Sequence, residues 1–446
     1  MSGRRFLGLV GCGFILLGLT AAGLYTQRGA NLGAFVAVAL AQGAVYLLAL
    51  GLIWRYPTSR GGLALILGIA AALRIAVLAE PPFLSSDVYR YVWDGRVMAA
   101  GINPYRYIPT DPHLASLRDE TIFPRINRAT YAPTIYPPAA EAIFFAVTRI
   151  SERVTAMKLA MVAFEATAIW LLLRLLVAAG LPAARIIAYA WHPLPVWEFA
   201  GSGHIDAAII ALVALALWSR RRCGGWLTGP ALAAGTLVKF YPVVLFPALW
   251  RPWGRPWEWR MPAIFAAVLA LAYLPFLGVG WRVFGFLPGY LAEEGFASGG
   301  GFYLWSVAKA ALPLAGVPDF AYLAAAACCL AGLVLCLASR QEDARSDVFG
   351  AALLAGAFTL LLSPHYPWYF AWLIVFACLI PSASLVWLTL ASFLLYLVPV
   401  GSQLVRDRQR FLVESAIYVP FLALAAIDLW RQRRREQLRH GEHTPR

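Results

Sequence analysis

The sequence predicts an all-α polytopic membrane protein. Three observations carry that prediction. The 446 residues are 61% hydrophobic and only 13% charged, against about 25% charged in ordinary globular chains. Mean hydropathy is +0.68. The apolar residues fall in continuous runs long enough for helices to cross a bilayer, unlike the short alternating strands of a membrane β-barrel. The length alone would allow about three soluble domains, but no soluble fold would cover this much apolar surface.

The runs can be taken in order. Arg4 and Arg5 precede the first, near 6–25, which reads as an uncleaved helix because further spans follow it. Candidate spans continue near 33–54, 62–79, 137–150, 155–178, 205–218, 226–250, 260–277, 319–338, 347–362, 366–380, 384–399 and 411–430. Segments 185–199 and 303–316 are apolar but proline-broken or brief, which suits re-entrant or interfacial helices. The chain reads as one integral-membrane domain. An external loop covers 80–136, and central spans with re-entrant segments cover 137–277. A second external loop follows at 278–303, then C-terminal spans over 304–430 and a basic tail at 431–446.

The net charge of +14 would point to nucleic acid in a soluble protein. Here the arginines stand mostly in short loops and act as topology anchors, so no nucleic-acid partner is expected. Arg4, Arg5, Arg55, Arg60, Arg149, Arg153, Lys158, Arg220–Arg222 and the tail arginines mark the cytoplasmic side. Both termini are then inside and segment 80–136 is outside. Arg251–Arg260 is basic too, so 226–250 must be two short helices that dip in and return, broken at Lys239-Phe240-Tyr241-Pro242. Arg406, Arg408 and Arg410 fall on the outer side against the rule, which suits the phosphates of anionic membrane lipids. Cys12, Cys223, Cys328, Cys329, Cys336 and Cys378 show neither metal spacing nor a disulfide framework, and read as small packing residues.

Segment 80–136 is far more polar than the rest. Its acids are Glu80, Asp87, Asp94, Asp111, Asp119 and Glu120. Ser85-Ser86-Asp87 favours a helix start. On that helix Asp87, Arg90, Tyr91 and Asp94 fall within an arc of about 100°. This edge is either a row of ordinary i,i+3 and i,i+4 pairs or a reactive face. Gly101-Ile102-Asn103-Pro104-Tyr105 is a turn signature. Tyr131-Ala132-Pro133-Thr134-Ile135-Tyr136-Pro137-Pro138 ends the loop and starts the next helix.

Charged groups inside apolar spans are functional hypotheses by default. His192, Glu198, His204 and Asp206 cluster within one stretch. They read as metal ligands, as a hydrogen-bonded plug between helices, or as the wall of a substrate site. The i,i+4 histidine spacing of a metalloprotease helix is absent. Lys239, beside Tyr241, either meets an anion or snorkels to the interface. Glu165 and Arg174 read as a structural pair. Glu293-Glu294 with Gly299-Gly300-Gly301 forms either a mobile lid or a loose connection. His365 and Tyr366 stand at an outer membrane edge, where Trp368 and Tyr369 are ordinary belt residues.

Asp87, Arg90-Tyr91, Asp94-Gly95, Gly101-Ile102-Asn103-Pro104-Tyr105 and Tyr136-Pro137-Pro138 together resemble the first external loop of the GT-C superfamily. These are integral-membrane glycosyltransferases that use polyprenyl-phosphate sugars. The bacterial polyprenol-phosphate-mannose-dependent mannosyltransferases are the nearest group. The stretch from His192 to Asp206 is similar to their Asn-Pro-Leu…Glu…Gly-x-Gly-His-x-Asp pattern, with His192 where many carry Asn. The resemblance implies a GT-C-like bundle of about 12–14 transmembrane helices, with interfacial helices in the first external loop. It implies an inverting transferase that moves a sugar, most readily mannose, to a hydroxyl of a glycan or glycolipid at the outer face of the bacterial cytoplasmic membrane.

Under that resemblance Asp87 is the catalytic base, and Arg90, Lys239 and His365 are partners of the leaving phosphate. Tyr91, Asp94, Asn103, Tyr105, Tyr136, His192, Glu198, His204, Asp206, Tyr241 and Tyr366 are the remaining substrate-site residues. Relatives often carry two adjacent acids at the loop start, whereas this chain has Ser86-Asp87. That favours a lone carboxylate and no cofactor, with a divalent metal as the less favoured alternative. Neither a Walker loop nor a dinucleotide fingerprint is present. The alternatives are a transporter or flippase, which would tend to show paired halves with matched broken helices, and a polysaccharide polymerase or ligase, whose external loop typically comes late in the chain.

Overall fold

The computed structural model describes residues 3–55, 59–222, 225–250, 256–296, 301–314, 316–338, 344–398 and 403–441. It is all-helical, with no strand among the described residues. Seven of its helices are long and apolar enough to cross a membrane, which makes the chain a polytopic membrane protein. Cys223, Arg251, Gly299 and Gly300 lie outside the described residues, as does the side chain of Arg406.

Helices α1 (Gly3–Arg28) and α2 (Leu32–Arg55) form an antiparallel hairpin. Asn31 turns it by accepting from the backbone N–H of Ala34 at 2.9 Å. At about 1.5 Å per residue, each is as long as a bilayer is thick. Helix α3 (Arg60–Leu78) returns the chain, and an Arg28–Glu80 ion pair ties its exit to the end of α1. Segment 80–136 follows at this end of the bundle, called the loop end below. It contains α4 (Asp87–Ala99) and two short 3-10 turns.

The next element corrects the sequence reading. Helix α5 (Pro138–Thr148) has 11 residues, about 16 Å of rise, roughly half of what a span needs. It packs on α4 and leaves the chain at the loop end. Glu152 pairs with Arg96 of α4 at 2.9 Å. Lys158, in α6 (Val154–Ala178), donates to the carbonyls of Val77 and Glu80 at 3.0 and 2.7 Å. Segment 137–150 is therefore not a span, and Arg149, Arg153 and Lys158 do not lie at the end that holds Arg55 and Arg60. The approach of α5 to α4 requires Gly95, where a Cβ would sit 2.5 Å from the Phe144 carbonyl oxygen.

Helix α6 then crosses to the far end. Residues 183–205 come back, with Arg185 over the Trp54 ring at the far end and His204 beside Asp87 at the loop end. This stretch crosses rather than turning back. It is broken at Pro193 and wound as a π-helix over Val196–Gly201, and nearly all of it is buried. Helices α7 (Asp206–Arg222) and α8 (Gly225–Val238) form a second antiparallel pair. Tyr241–Leu245 and Phe246–Leu249 then lead back toward the far end, so the break falls at Lys239-Phe240. At the far end Arg220 meets Glu258 at 2.8 Å.

The rest alternates in the same way. Arg260–Tyr273 rises to the loop end, where Leu274–Phe284, Leu287–Glu293 and Tyr303–Ala311 lie. Phe320–Ala338 descends and Ala344–Leu362 returns. Pro367–Leu379 and Ala383–Leu397 make another down-and-up pair. Gln403–Gly441 ends the chain at the far end, the same end as the N-terminus.

A buried ion pair fastens the centre. Arg74 of α3 meets Glu165 of α6 at 2.7 Å, donates to the Ala190 carbonyl at 2.8 Å, and shares Glu165 with the Tyr189 hydroxyl. The partner of Glu165 is thus not Arg174. Nine residues along a helix is about half a turn out of phase, and Arg174 instead stacks over Trp170.

Removing one partner of a buried pair leaves an uncompensated charge worth about 3–5 kcal/mol. Arg74→Met is expected to destabilise the solubilised protein by that amount in chemical denaturation, and the Arg74→Met/Glu165→Met double variant to recover most of it. Thiol labelling checks the revised topology. In a cysteine-free background, Glu80→Cys and Glu152→Cys are expected to react with an impermeant maleimide from the same side of sealed vesicles. Labelling from opposite sides would restore 137–150 as a span.

Candidate active site

The polar residues of distant elements meet at the loop end around one cavity of about 1150 Å³. Helix α4 supplies Asp87 and Arg90, and the end of the loop supplies Asn127, Arg128 and Tyr136. The α8 break supplies Lys239 and Tyr241, and the 363–369 turn supplies His365 and Tyr366. One flank is greasy, with Val243, Leu287, Phe358 and Leu362 in its wall.

Asp87 is the first residue of α4, and its backbone N–H donates to the Ser85 hydroxyl at 3.1 Å. Asn127 donates to its Oδ1 at 2.6 Å. Its Oδ2 lies 3.9 Å from Nε2 of His204. His204 is fully buried, with Nδ1 3.1 Å from the Glu198 carboxylate, and stacks on Trp368 at 4.1 Å between centroids. The Tyr396 hydroxyl donates to the other Glu198 oxygen at 2.7 Å. A line of groups therefore runs from Tyr396 through Glu198 and His204 toward Asp87.

Cations surround the cavity. Lys239 meets Asp206 at 2.6 Å and sits 4.6 Å over the Tyr369 ring, while the Tyr241 hydroxyl donates to the second Asp206 oxygen. Arg128 pairs with Glu293 at 2.7 Å. His365 Nδ1 lies 2.8 Å from Glu294, and its Nε2 faces Arg410 at 3.4 Å. Arg410, read from the sequence as facing lipid phosphates, is thus turned to His365.

The structure brings Asp87, Arg90, Tyr136, Lys239, Tyr241, His365 and Tyr366 to this cavity, and Glu198, His204 and Asp206 directly behind its wall. Others stand away from it. Asp94 is buried, with both its oxygens held by Arg90 at 2.8 and 3.0 Å. Burial raises the Asp94 carboxyl, and Arg90 draws it partly back. Tyr91 is buried flat on Phe144. Asn103 donates to the Phe276 carbonyl and the Tyr105 ring packs edge-on against Phe276, which pins the loop to 274–284, while the Tyr105 hydroxyl donates to the Tyr136 carbonyl within the loop. His192 contacts Thr389 and caps the short helix at Pro193 by accepting from the Leu194 N–H.

Asp206 is therefore taken up by an ammonium and a phenol, and His192 points to another helix. Among the described residues no cluster of three or more His, Cys, Asp or Glu is arranged to hold a metal ion. Sequence reasoning missed Asn127, Arg128 and Tyr396. The first two lie in irregular loop and the third in an apolar run, so no spacing marks them.

Comparison with known proteins adds one finding. No curated protein and no solved structure matches the chain. The sequence profile of the alpha-(1→6)-mannopyranosyltransferase N-terminal domain, MptA/B family, matches residues 5–255. That is more than half of the chain and takes in α4, His204, Asp206 and Lys239. The chain belongs to this family, and is therefore a membrane-embedded mannosyltransferase of the GT-C kind.

Proposed function

We propose that the protein moves mannose from a polyprenyl-phosphate carrier to a sugar hydroxyl, with inversion, at the outer face of the bacterial cytoplasmic membrane. The observation that carries this reading is the cavity itself. It joins a greasy flank suited to a lipid, cations suited to a phosphate, and the Asp87 carboxylate in one wall. The short connections at the far end carry Arg55, Arg60, Arg185 and Arg220–Arg222. The lysine and arginine bias supports that end as cytoplasmic and the cavity as external.

In this reading the acceptor hydroxyl oxygen attacks the anomeric carbon. Its proton passes to Asp87 as the new C–O bond forms. The bond from the anomeric carbon to the phosphate oxygen breaks, and its electron pair leaves with polyprenyl phosphate. Asn127 holds one carboxylate oxygen, which leaves the other to take the proton. A positioned base of this kind contributes about 10²–10⁴-fold. Lys239, Arg128, Arg90 and His365 stabilise the charge that grows on the departing phosphate. A single displacement inverts the centre, so an α-linked product, as the family description names, calls for a β-linked donor. His204 touches no substrate. Backed by Glu198, its Nε2 stands 3.9 Å behind Oδ2 of Asp87, beyond a direct hydrogen bond, which suits a positioning role.

Radiolabel transfer from polyprenyl-phosphate mannose checks this. Asp87→Asn is expected to lower transfer by about two to four decades with folding unchanged, and wild-type rates in that variant would remove Asp87 from the base role. A hydrogen bond to a charged group is worth about 1.5–3 kcal/mol. Arg128→Gln is therefore expected to lower kcat/KM for the lipid donor by about tenfold or more. An effect below twofold would take Arg128 off the phosphate.

A further inference from the structure

A second cavity, of about 700 Å³, lies on the opposite side of α4. Helix periodicity puts it there. Tyr89 and Arg96 stand about 200° and 180° round the helix from Asp87, whereas Arg90 and Asp94 stand within about 60° of it. Arg96 thus faces the second cavity alone and Arg90 the first alone, with Tyr89 at the boundary between them. The walls meet at Pro81, Pro82, Tyr89 and Arg125, which line both. That meeting point is the N-terminal end of α4, where Asp87 is the first residue.

The two cavities differ in chemistry. The first has the greasy flank. The second carries Glu80, Arg96, Asp119, Glu152, Arg153 and Thr155 in its wall, beside Ala79, Ile122 and Val154. Arg96 is held rigid by Asp119 and Glu152, each at 2.9 Å, and by the Leu117 carbonyl. Asp119 is held in turn. Burial would raise it, but hydrogen bonds from Arg96 and from the backbone N–H groups of Phe123 and Ile122 bring it down to about 2. Asp119 therefore keeps its charge at neutral pH. Tyr89 offers a ring with the Arg125 guanidinium 5.5 Å from its centroid. From Tyr89 to Arg96 the face is about 10 Å long.

The geometry points to this second cavity as the acceptor site, built for a hydroxyl-rich saccharide. The assignment rests on the transferase reading above. An acceptor chain lies along the Tyr89–Arg96 face, and its terminal hydroxyl passes over the N-terminal end of α4 to Asp87. The lipid-borne donor comes to Asp87 from the other side. Carboxylates and guanidinium groups in a fixed array suit hydroxyl donors and acceptors at close spacing, and the Tyr89 ring suits the apolar face of a pyranose.

The test separates acceptor binding from chemistry. Thr155 and Thr121 line only the second cavity and sit on different elements. In full-length protein in nanodiscs without donor, binding of a methyl α-(1→6)-mannotetraoside is followed by saturation-transfer NMR. Thr155→Trp and Thr121→Trp are each expected to weaken binding at least tenfold, and to raise the acceptor KM by a similar factor. Thr167→Trp, on an exposed face of α6, serves as the control and is expected to bind as the wild type does. Wild-type affinity in both filling variants would overturn the assignment, and so would a wild-type protein that binds no tetramannoside. If wild type moves no label from polyprenyl-phosphate mannose while the filling variants still lose the tetramannoside, the donor reading falls and the saccharide site stands.

Discussion

The position of Asp87 depends on an ion pair a turn further along its own helix. Arg90 grips both oxygens of Asp94 and the Ala132 carbonyl, all out of water. Two charges brought that far from solvent are tolerable only in such geometry. The grip therefore fixes α4 in rotation and ties it to the stretch that closes the loop. Thr134 in that stretch donates to Glu141 of α5 at 2.6 Å. Gly95 lets α5 lie against α4 almost at backbone contact. With its rotation set, α4 has one place to aim its first side chain.

The same logic orders the opposite wall. Residues from the π-helical turn back the carboxylate through His204, and the α8 break brings Lys239 to Asp206. Broken helices recur here because irregular backbone at membrane depth is tolerated only where protein or a cavity covers it. The Glu198–His204 contact shows how much rests on such a break. Six residues apart on a regular helix, the two would diverge by about 120°. The π turn and the positive φ of Gly203 (82°) fold the chain so that the His204 N–H reaches the Glu198 carbonyl at 3.0 Å.

Much of this was legible in the sequence. Hydropathy gives the all-α membrane class, and polarity marks segment 80–136. The serine-capped start of α4 is visible because Asp87 follows Ser85-Ser86. Segment 137–150 was misread for a physical reason. Composition does not distinguish an 11-residue interfacial helix from a short span, and Arg149 and Arg153 look like anchors until Glu152 is seen paired with Arg96. The union of Asp87 with Lys239 and His365 is expected only through the family resemblance, because spacing alone does not show packing between helices far apart in sequence. Asn127, which holds Asp87, stands in irregular loop where neither a 3.6 nor a 2 period operates.

Four basic groups around the larger cavity have a carboxylate close by, Arg90 with Asp94, Lys239 with Asp206, Arg128 with Glu293 and His365 with Glu294, while Arg125 lies over the Tyr89 ring. Much of the positive charge of the vestibule is therefore already countered. An anion arriving there displaces counter-charges already in place, so its net attraction is far below what the bare cations suggest. A vestibule balanced in this way holds an arriving anion less firmly than one lined by bare cations.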